Sequence, residues 1–184
     1  LKTMQTSEED VRRLLTAIGD DPSRSGLIET PARVVKANAE IFAHTGETTF
    51  TDYKLFEVAT DTDMVVVTDI PFYSMCEHHL LPFFGTVTVA YQPKQQVIGL
   101  SKIPRLVDWA ARRPSVQEGL TTLIADELSR IVSAEGVAVH ISARHMCMEM
   151  RGINRPGTTT TTQVTRGIFK TDAVLRQEFQ QQVH

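Results

Sequence analysis

Apolar side chains recur at helical spacing near the start of the chain, where Val11, Leu14, Leu15 and Ile18 follow the acidic opening Ser7-Glu8-Glu9-Asp10. Ser7 stands as the cap with Asp10 three residues on, and Asp21-Pro22 ends the segment, so a first helix is predicted between them. A second helix is predicted from Thr30-Pro31, cap then first-position proline, through Val34, Ile41 and Phe42, with Gly46 closing it. From Met64 the texture changes to β-branched and aromatic residues: Val65, Val66, Val67, Phe72, Tyr73 and the run from Thr86 to Tyr91. A short amphipathic helix carrying the only tryptophan, Trp109, falls between Ile103 and Arg113. A longer one is predicted to open at Pro114-Ser115, with Val116, Leu120, Leu123, Ile124, Leu128 and Ile131 on one stripe and Gly136 after it. Val137 to Met148 alternates as a strand. Thr158 to Thr165 forms another, because the β-branching of the five threonines 158–162 favours a strand over a linker.

Helices flank a block of strands without regular βαβ alternation, so the fold class is α+β. We divide the chain into an N-terminal helical region, 1–50, read as an appendage, and a main domain, 51–184. The 184 residues, 41% hydrophobic and 22% charged, suffice for a full core and exclude a disordered or polyelectrolyte chain. No apolar run approaches the roughly 20 residues needed to span a bilayer, and LKTMQTSEED lacks the basic flank and apolar stretch of a signal peptide. The expectation is a soluble, cytoplasmic protein whose start has been trimmed, since no Met opens it. A net charge of −3 gives no general attraction for nucleic acid or an anionic membrane, so any anionic ligand needs a local basic cluster.

Two cysteines, Cys76 and Cys147, are too few for a disulfide scaffold, which leaves a metal site or plain thiols. Cys76 and His79 form a Cys-x-x-His pair that a tight turn brings to one ion, and thiolate with imidazole favours zinc over magnesium or calcium. On a strand, Val137, Val139, Ile141, Ala143, His145 and Cys147 share one face, so an apolar face ends in a histidine and a thiol. Of six histidines, only His44, His140 and His184 lie away from a cysteine. The plain alternative is that each thiol is a small core hydrophobe. Taken as ligands, Cys76, His79 and Cys147 leave a fourth position for water, the pattern of a catalytic zinc, and His78 and His145 remain as proton-transfer groups. The chain has no His-Glu-x-x-His, no Pro-Cys-x-x-Cys and no Gly-rich phosphate loop. A triphosphate would have to be held by side chains. Lys102, Arg105 and Arg151 are the candidates, against the alternative of solvated surface charges.

The stretches MCEHHLLPFFG (75–85), VIGLSKIPRLVDWAARRPSVQEGLT (97–121) and HMCMEMRG (145–152) closely resemble GTP cyclohydrolase I, as do GLIETPARV (26–34) and TTTTTQVTRGIF (158–169). The similarity runs from about residue 7 onward in the family's order and spacing. The resemblance implies a tunnelling fold, an antiparallel sheet with helices on one face that closes with other subunits into a β-barrel. It further implies a homodecamer of two face-to-face pentamers with active sites at subunit interfaces. The implied reaction converts GTP and water to 7,8-dihydroneopterin triphosphate and formate, the first step of folate and pterin synthesis. By matching motif, Cys76, His79 and Cys147 are implied to bind zinc, which lowers the pKa of its water for attack at C8 of the guanine. The resemblance makes His78 the group that protonates the opening imidazole ring and His145 a proton carrier in ring opening and sugar rearrangement. Ser101 would contact the ribose or phosphates. Glu118, with Gln117, is implied to anchor the guanine, since a carboxylate accepts from N1–H and the 2-amino group. Lys102, Arg105 and Arg151 take the triphosphate, joined by Arg33 from a neighbouring subunit.

Helix physics offers another role for Glu118, because Ser115-Val116-Gln117-Glu118 also fits a capping box. Two positions depart from the family pattern. Gly119 replaces the usual Arg, at a cost in helix propensity and in charge beside the guanine anchor. Glu149 stands where a neutral or basic residue is common; on a continuing strand it shares a face with Cys147 and Arg151 and is expected to weaken phosphate binding, unless the strand has ended. Two rival readings accompany the main one. A paralogue could stop earlier or feed a deazapurine pathway with the same zinc and GTP sites. A non-catalytic ring-forming module could use structural zinc or a Cys76–Cys147 disulfide, and would need neither His78, His145 nor the triphosphate cluster.

Overall fold

The computed structural model describes residues 7–57 and 63–183. The first six residues of the leader reading and His184 lie outside the described residues. The chain divides into two compact units, Leu1–Thr45 and Gly46–His184. In the first, helix α1 spans Glu8–Ala17 and helix α2 spans Thr30–Ile41. The capping box that starts α1 forms as expected: Asp10 N–H donates to Ser7 Oγ at 3.2 Å, and Ser7 N–H donates to Asp10 Oδ2 at 3.1 Å. The start of α2 differs from expectation. Thr30 is its first residue rather than its cap, Glu29 caps without a side-chain bond, and Pro31 occupies the first turn. The helix also ends at Ile41 rather than at Gly46, because Phe42 leaves helical geometry at φ −108° and ψ 23°. Val11 and Pro31 are buried, while Leu14, Ile18 and Ile28 are 60%, 68% and 65% exposed.

In the second unit, β1 (Leu55–Glu57), β2 (Val65–Cys76), β3 (Pro82–Gln92) and β4 (Gln96–Ile98) come first. Helix α3 (Lys102–Ala111), the two-residue β5 (Pro114–Ser115) and helix α4 (Gln117–Val132) follow. The chain continues with β6 (Gly136–His145), the turn of helix α5 (Met146–Glu149), β7 (Thr159–Gly167), α6 (Ile168–Thr171) and α7 (Ala173–Gln181). Strands β1 and β4 pair with each other; the main sheet runs β5-β2-β3-β6-β7. All its neighbours are antiparallel except β5, which lies parallel to the end of β2, Pro114 beside Met75 and Ser115 beside Cys76. The α+β class is therefore as read from the pattern. No helix among the described residues is long and apolar enough to cross a membrane.

Alternation along the strands decides which face packs. Phe72, Phe83, Val87, Val89, Tyr91, Val137, Val139 and Ile141 meet Leu106, Val107 and Trp109 of α3 and Leu120, Ile124 and Leu128 of α4 in the main core. Each fully buried Leu or Ile there contributes about 1.5–3 kcal/mol. The helices do not keep to one face. The intervening positions Ala90 and Ala138 are small, and on that opposite side Phe169 and Phe179 of α6 and α7 pack against them. The expected start of α4 is also corrected. Pro114-Ser115 is drawn into the sheet by Met75 and Cys76, so the helix begins at Gln117 behind Val116, with no side-chain cap.

Candidate active site

The site is built where three elements end. Strand β2 stops at Cys76, and the chain turns back through Glu77, His78 and His79 into β3. Cys76 N–H donates to Leu81 O at 2.9 Å and Leu80 N–H to Cys76 O at 2.8 Å, which closes the turn. Leu80 pays for that tightness with φ +51°. Glu77 N–H donates to Ser115 O at 3.0 Å, tying the turn to the segment that opens α4. The third element is β6, which ends at His145. Cys147 sits on the helical turn α5 and not on a continuing strand, because the backbone closes there with Met150 N–H donating to Met146 O at 3.0 Å.

The helical turn still delivers the thiol to the right place. The ligand atoms of Cys76, His79 and Cys147 lie within 4.8 Å of one another, the one such trio of metal-ligating side chains among the described residues. The Cys76 sulfur is 3.9 Å from Nδ1 of both His78 and His79. Cys76 is buried, Cys147 half-buried and both histidines exposed, so the trio opens to solvent on one side. Burial pushes the Cys147 thiol above its ordinary value, and the neighbouring Cys76 adds to that. A cation in the trio replaces the thiol protons and relieves that crowding, so the donor set, two sulfurs and an imidazole, fits zinc. Arg151 is placed beside it, with Nη1 donating to His79 Nε2 at 3.2 Å.

His145 leads to a second group. Its ring stacks on Phe83 at 4.8 Å with an interplanar angle of 2°, and its Nε2 is 2.7 Å from Gln117 Oε1. Burial lowers its pKa, opposed by the negative charge of Glu118 nearby. Glu118 itself is exposed in the first turn of α4, and the capping box that would have occupied it does not form, since Val116 and not Ser115 is the cap. Gln117 does not share its exposure. It is 2% exposed, and its amide nitrogen bonds Ile141 O, Thr160 O and Thr162 Oγ1 at 3.2, 3.0 and 3.1 Å. Every polar atom of the Gln117 amide is thus engaged inside the protein, whereas Glu118, the other residue expected at the guanine, is exposed.

A third group forms at the start of α3. Lys102 and Arg105 both reach the carboxylate of Asp52, the latter at 2.8 Å, and the hydrogen bonds they donate, helped by their charges, hold that carboxyl below its usual range. Ser101 precedes them, exposed and not spent on capping the helix. Asp52 went unnoticed in the sequence, where nothing local marks an acid fifty positions away from its partners. Lys102 opens the ten-residue helix α3, about 15 Å long, whose other end leads to the Pro114-Ser115 strand beside Met75 and Cys76. Arg33 belongs to the first unit, where it pairs with Glu29. Glu149 does not face Arg151 as a strand neighbour. It is buried and accepts two hydrogen bonds from Arg144, whose Nε and Nη2 donate to Oε1 and Oε2 at 2.7 and 2.6 Å.

Comparison with known proteins bears on this arrangement. A family model described as GTP cyclohydrolase I matches residues 7–184. GTP cyclohydrolase 1 of Lactiplantibacillus plantarum is 57% identical over 183 residues, covering 99% of this chain and 97% of that protein. GTP cyclohydrolase 1 of Latilactobacillus sakei subsp. sakei is 58% identical over 180 residues, 96% and 95% of the two. A structure of an archaeosine synthase QueF-Like in the apo form aligns with TM-score 0.48 and 17% identity over 59% of this chain and 97% of its own. With the family match running from residue 7 to residue 184 and relatives more than half identical along nearly the whole length, the chain belongs to the GTP cyclohydrolase I family.

Proposed function

We propose that the turn after β2, the turn after β6 and the start of α4 together form the active site for the family's reaction, conversion of GTP and water to 7,8-dihydroneopterin triphosphate and formate. Membership of the family makes the chain a hydrolase at the first step of folate biosynthesis; the residue roles are our reading. The observation that carries it is the convergence of Cys76 and His79 with Cys147, about seventy positions further along the chain, to within 4.8 Å.

Those three residues would hold zinc, which would supply a Lewis acid able to lower the pKa of a bound water toward neutrality. His78, on the same turn and exposed, protonates the guanine's imidazole ring as it opens. His145 moves protons in ring opening and in the later sugar rearrangement. Glu118, exposed beside His145, accepts from the guanine N1–H and 2-amino group. Lys102, Arg105 and Arg151 bind the triphosphate, with Ser101 at the ribose or phosphates and Arg33 arriving from a neighbouring subunit on the N-terminal helical region 1–50. Asp52 then holds Lys102 and Arg105 until phosphate takes its place.

An oligomer of the tunnelling-fold type, a homodecamer with sites completed between subunits, is the assembly that suits this division. Three features support it. Strand β2 over residues 65–74 and the outer side of β7 carry no further strand among the described residues, so both sheet edges are open for pairing. Leu14, Ile18 and Ile28 are exposed on the N-terminal unit. Lys102 and Arg105 are held by Asp52, and neither makes a bond to the metal trio of its own chain among the described residues.

The test is incubation of zinc-loaded protein with GTP, following formate and a fluorescent oxidised pterin with and without chelator. Both products, lost together on chelation, are expected. Formate without pterin identifies a truncated reaction, and no turnover in zinc-replete protein removes the residue assignments. Glu118→Ala should lose GTP binding with zinc content unchanged; normal GTP affinity in that variant removes Glu118 from the site.

A further inference from the structure

We infer that Gln117 fixes which nitrogen of His145 carries hydrogen, and is thereby a positioning residue for the proton transfers assigned to His145; the functional half of this inference rests on that assignment. An amide oxygen only accepts and an amide nitrogen only donates, so a buried glutamine must face the right way. Two of the three partners of Gln117 Nε2 are the backbone carbonyls of Ile141 and Thr160, at 3.2 and 3.0 Å, which can only accept. Turned over, the amide would set its oxygen against both and leave buried acceptors unpaired.

The third partner agrees. Thr121 spends its hydroxyl hydrogen on the carbonyl oxygen of Gln117 at 2.7 Å. In the 2.7 Å contact between the Thr121 and Thr162 hydroxyls, Thr162 is therefore the donor, and it is left as an acceptor toward Gln117 Nε2 at 3.1 Å. Two amide hydrogens are shared among three acceptors, and the network has one direction throughout. Gln117 Oε1 is then the atom 2.7 Å from His145 Nε2, and an acceptor there requires hydrogen on Nε2. The parallel Phe83 ring at 4.8 Å keeps the imidazole in that plane. With Nε2 reserved for Gln117, Nδ1 is the nitrogen left to take a proton from substrate and return it. The first turn of α4 thus does two things at once: Glu118 faces outward, and Gln117 orients His145 from beneath.

The test uses the full-length, zinc-loaded protein with ring-15N histidine. The His145 ring should show hydrogen on Nε2 and a bare Nδ1; a ring carrying its hydrogen on Nδ1 overturns the inference without any substitution. Gln117→Met keeps the volume and removes the acceptor. It should let both ring forms appear and lower kcat by about tenfold to a hundredfold, with KM for GTP within about twofold. A folded, zinc-replete Gln117→Met with kcat near that of the parent overturns the functional half. Full activity in His145→Ala instead removes the role assigned to His145 and the functional half with it, while the ring spectrum decides the hydrogen assignment separately.

Discussion

Gly85 lies on β3 opposite Ala143 of β6, two residues from Phe83, whose partner across the ladder is His145. A Cβ at this position would stand 1.9 Å from the carbonyl oxygen of Ser142, 2.8 Å from Ala143 Cα and 2.9 Å from Ser142 C. All three atoms are backbone, so no side chain can swing aside. Such contacts stay above 3.0 Å in folded proteins, and Gly85→Ala must therefore part the strands by about 1.1 Å. Strands hydrogen-bonded at roughly 4.8 Å cannot absorb that without losing bonds on either side. Overpacking costs about 1–3 kcal/mol and two weakened bonds about 1 kcal/mol each, so a loss of about 3 kcal/mol or more is expected. For a chain of this length that lowers the melting midpoint by about 6–12 °C. The displaced strand also carries His145, the group we propose moves protons, and a shift near 1 Å at such a group would be worth about a hundredfold in rate. The assay pairs thermal melting with formate release at saturating GTP, run well below the lowered midpoint and with zinc content measured. Melting within about 2 °C of the parent refutes the strand clash; low melting with parental turnover refutes the link from strand spacing to His145.

Gly119→Ala should act in the opposite direction. Its Cβ meets only Val116 Cγ2 at 3.5 Å, an ordinary contact, so removing a helical glycine should stabilise by up to about 1 kcal/mol, and a lowered midpoint would contradict this. Glu149→Gln replaces one of the two oxygens that accept from Arg144 by a donor and should lower the melting midpoint while leaving KM for GTP unchanged. A tighter KM would restore the idea that Glu149 opposes phosphate binding. Glu127 is buried, which raises its pKa, but the Arg130 guanidinium and the Phe50 N–H outweigh burial and hold it below its ordinary 4.5. Its contribution is therefore present above that value and lost as pH falls through the lowered one. The midpoint gap between parent and Glu127→Gln should be wide at pH 7 and close in acid; a gap independent of pH would refute the ion pair's role.

Much of this architecture is legible in the sequence because its signals are local. Helices α1, α3 and α4 announce themselves by apolar spacing, and β2, β3, β6 and β7 by β-branched runs. What escapes is whatever depends on a distant partner. Pro114-Ser115 looks like a helix start and becomes a strand only because Met75 and Cys76 supply bonds beside it. The alternation of β6 reads straight through His145 to Met148, yet the chain coils at Met146, so Cys147 reaches His79 by a turn and Glu149 is rotated into the interior toward Arg144. Gln117 and Glu118 are adjacent letters with opposite fates, and nothing short of β6 and β7 crossing above α4 separates them.

The spacing of the metal trio along the chain has a consequence of its own. Cys76 and His79 leave the sheet before β3, whereas Cys147 follows β6, so an ion shared by the three closes a ring of backbone that encloses β3, α3, α4 and β6. Closing a loop of about 70 residues takes about 4 kcal/mol of conformational freedom from the unfolded chain, comparable to a long-range disulfide. If the three hold an ion as we propose, removing it would restore slack to the chain around its main core. Protease sensitivity of that stretch becomes a measure of metal occupancy that needs no substrate at all.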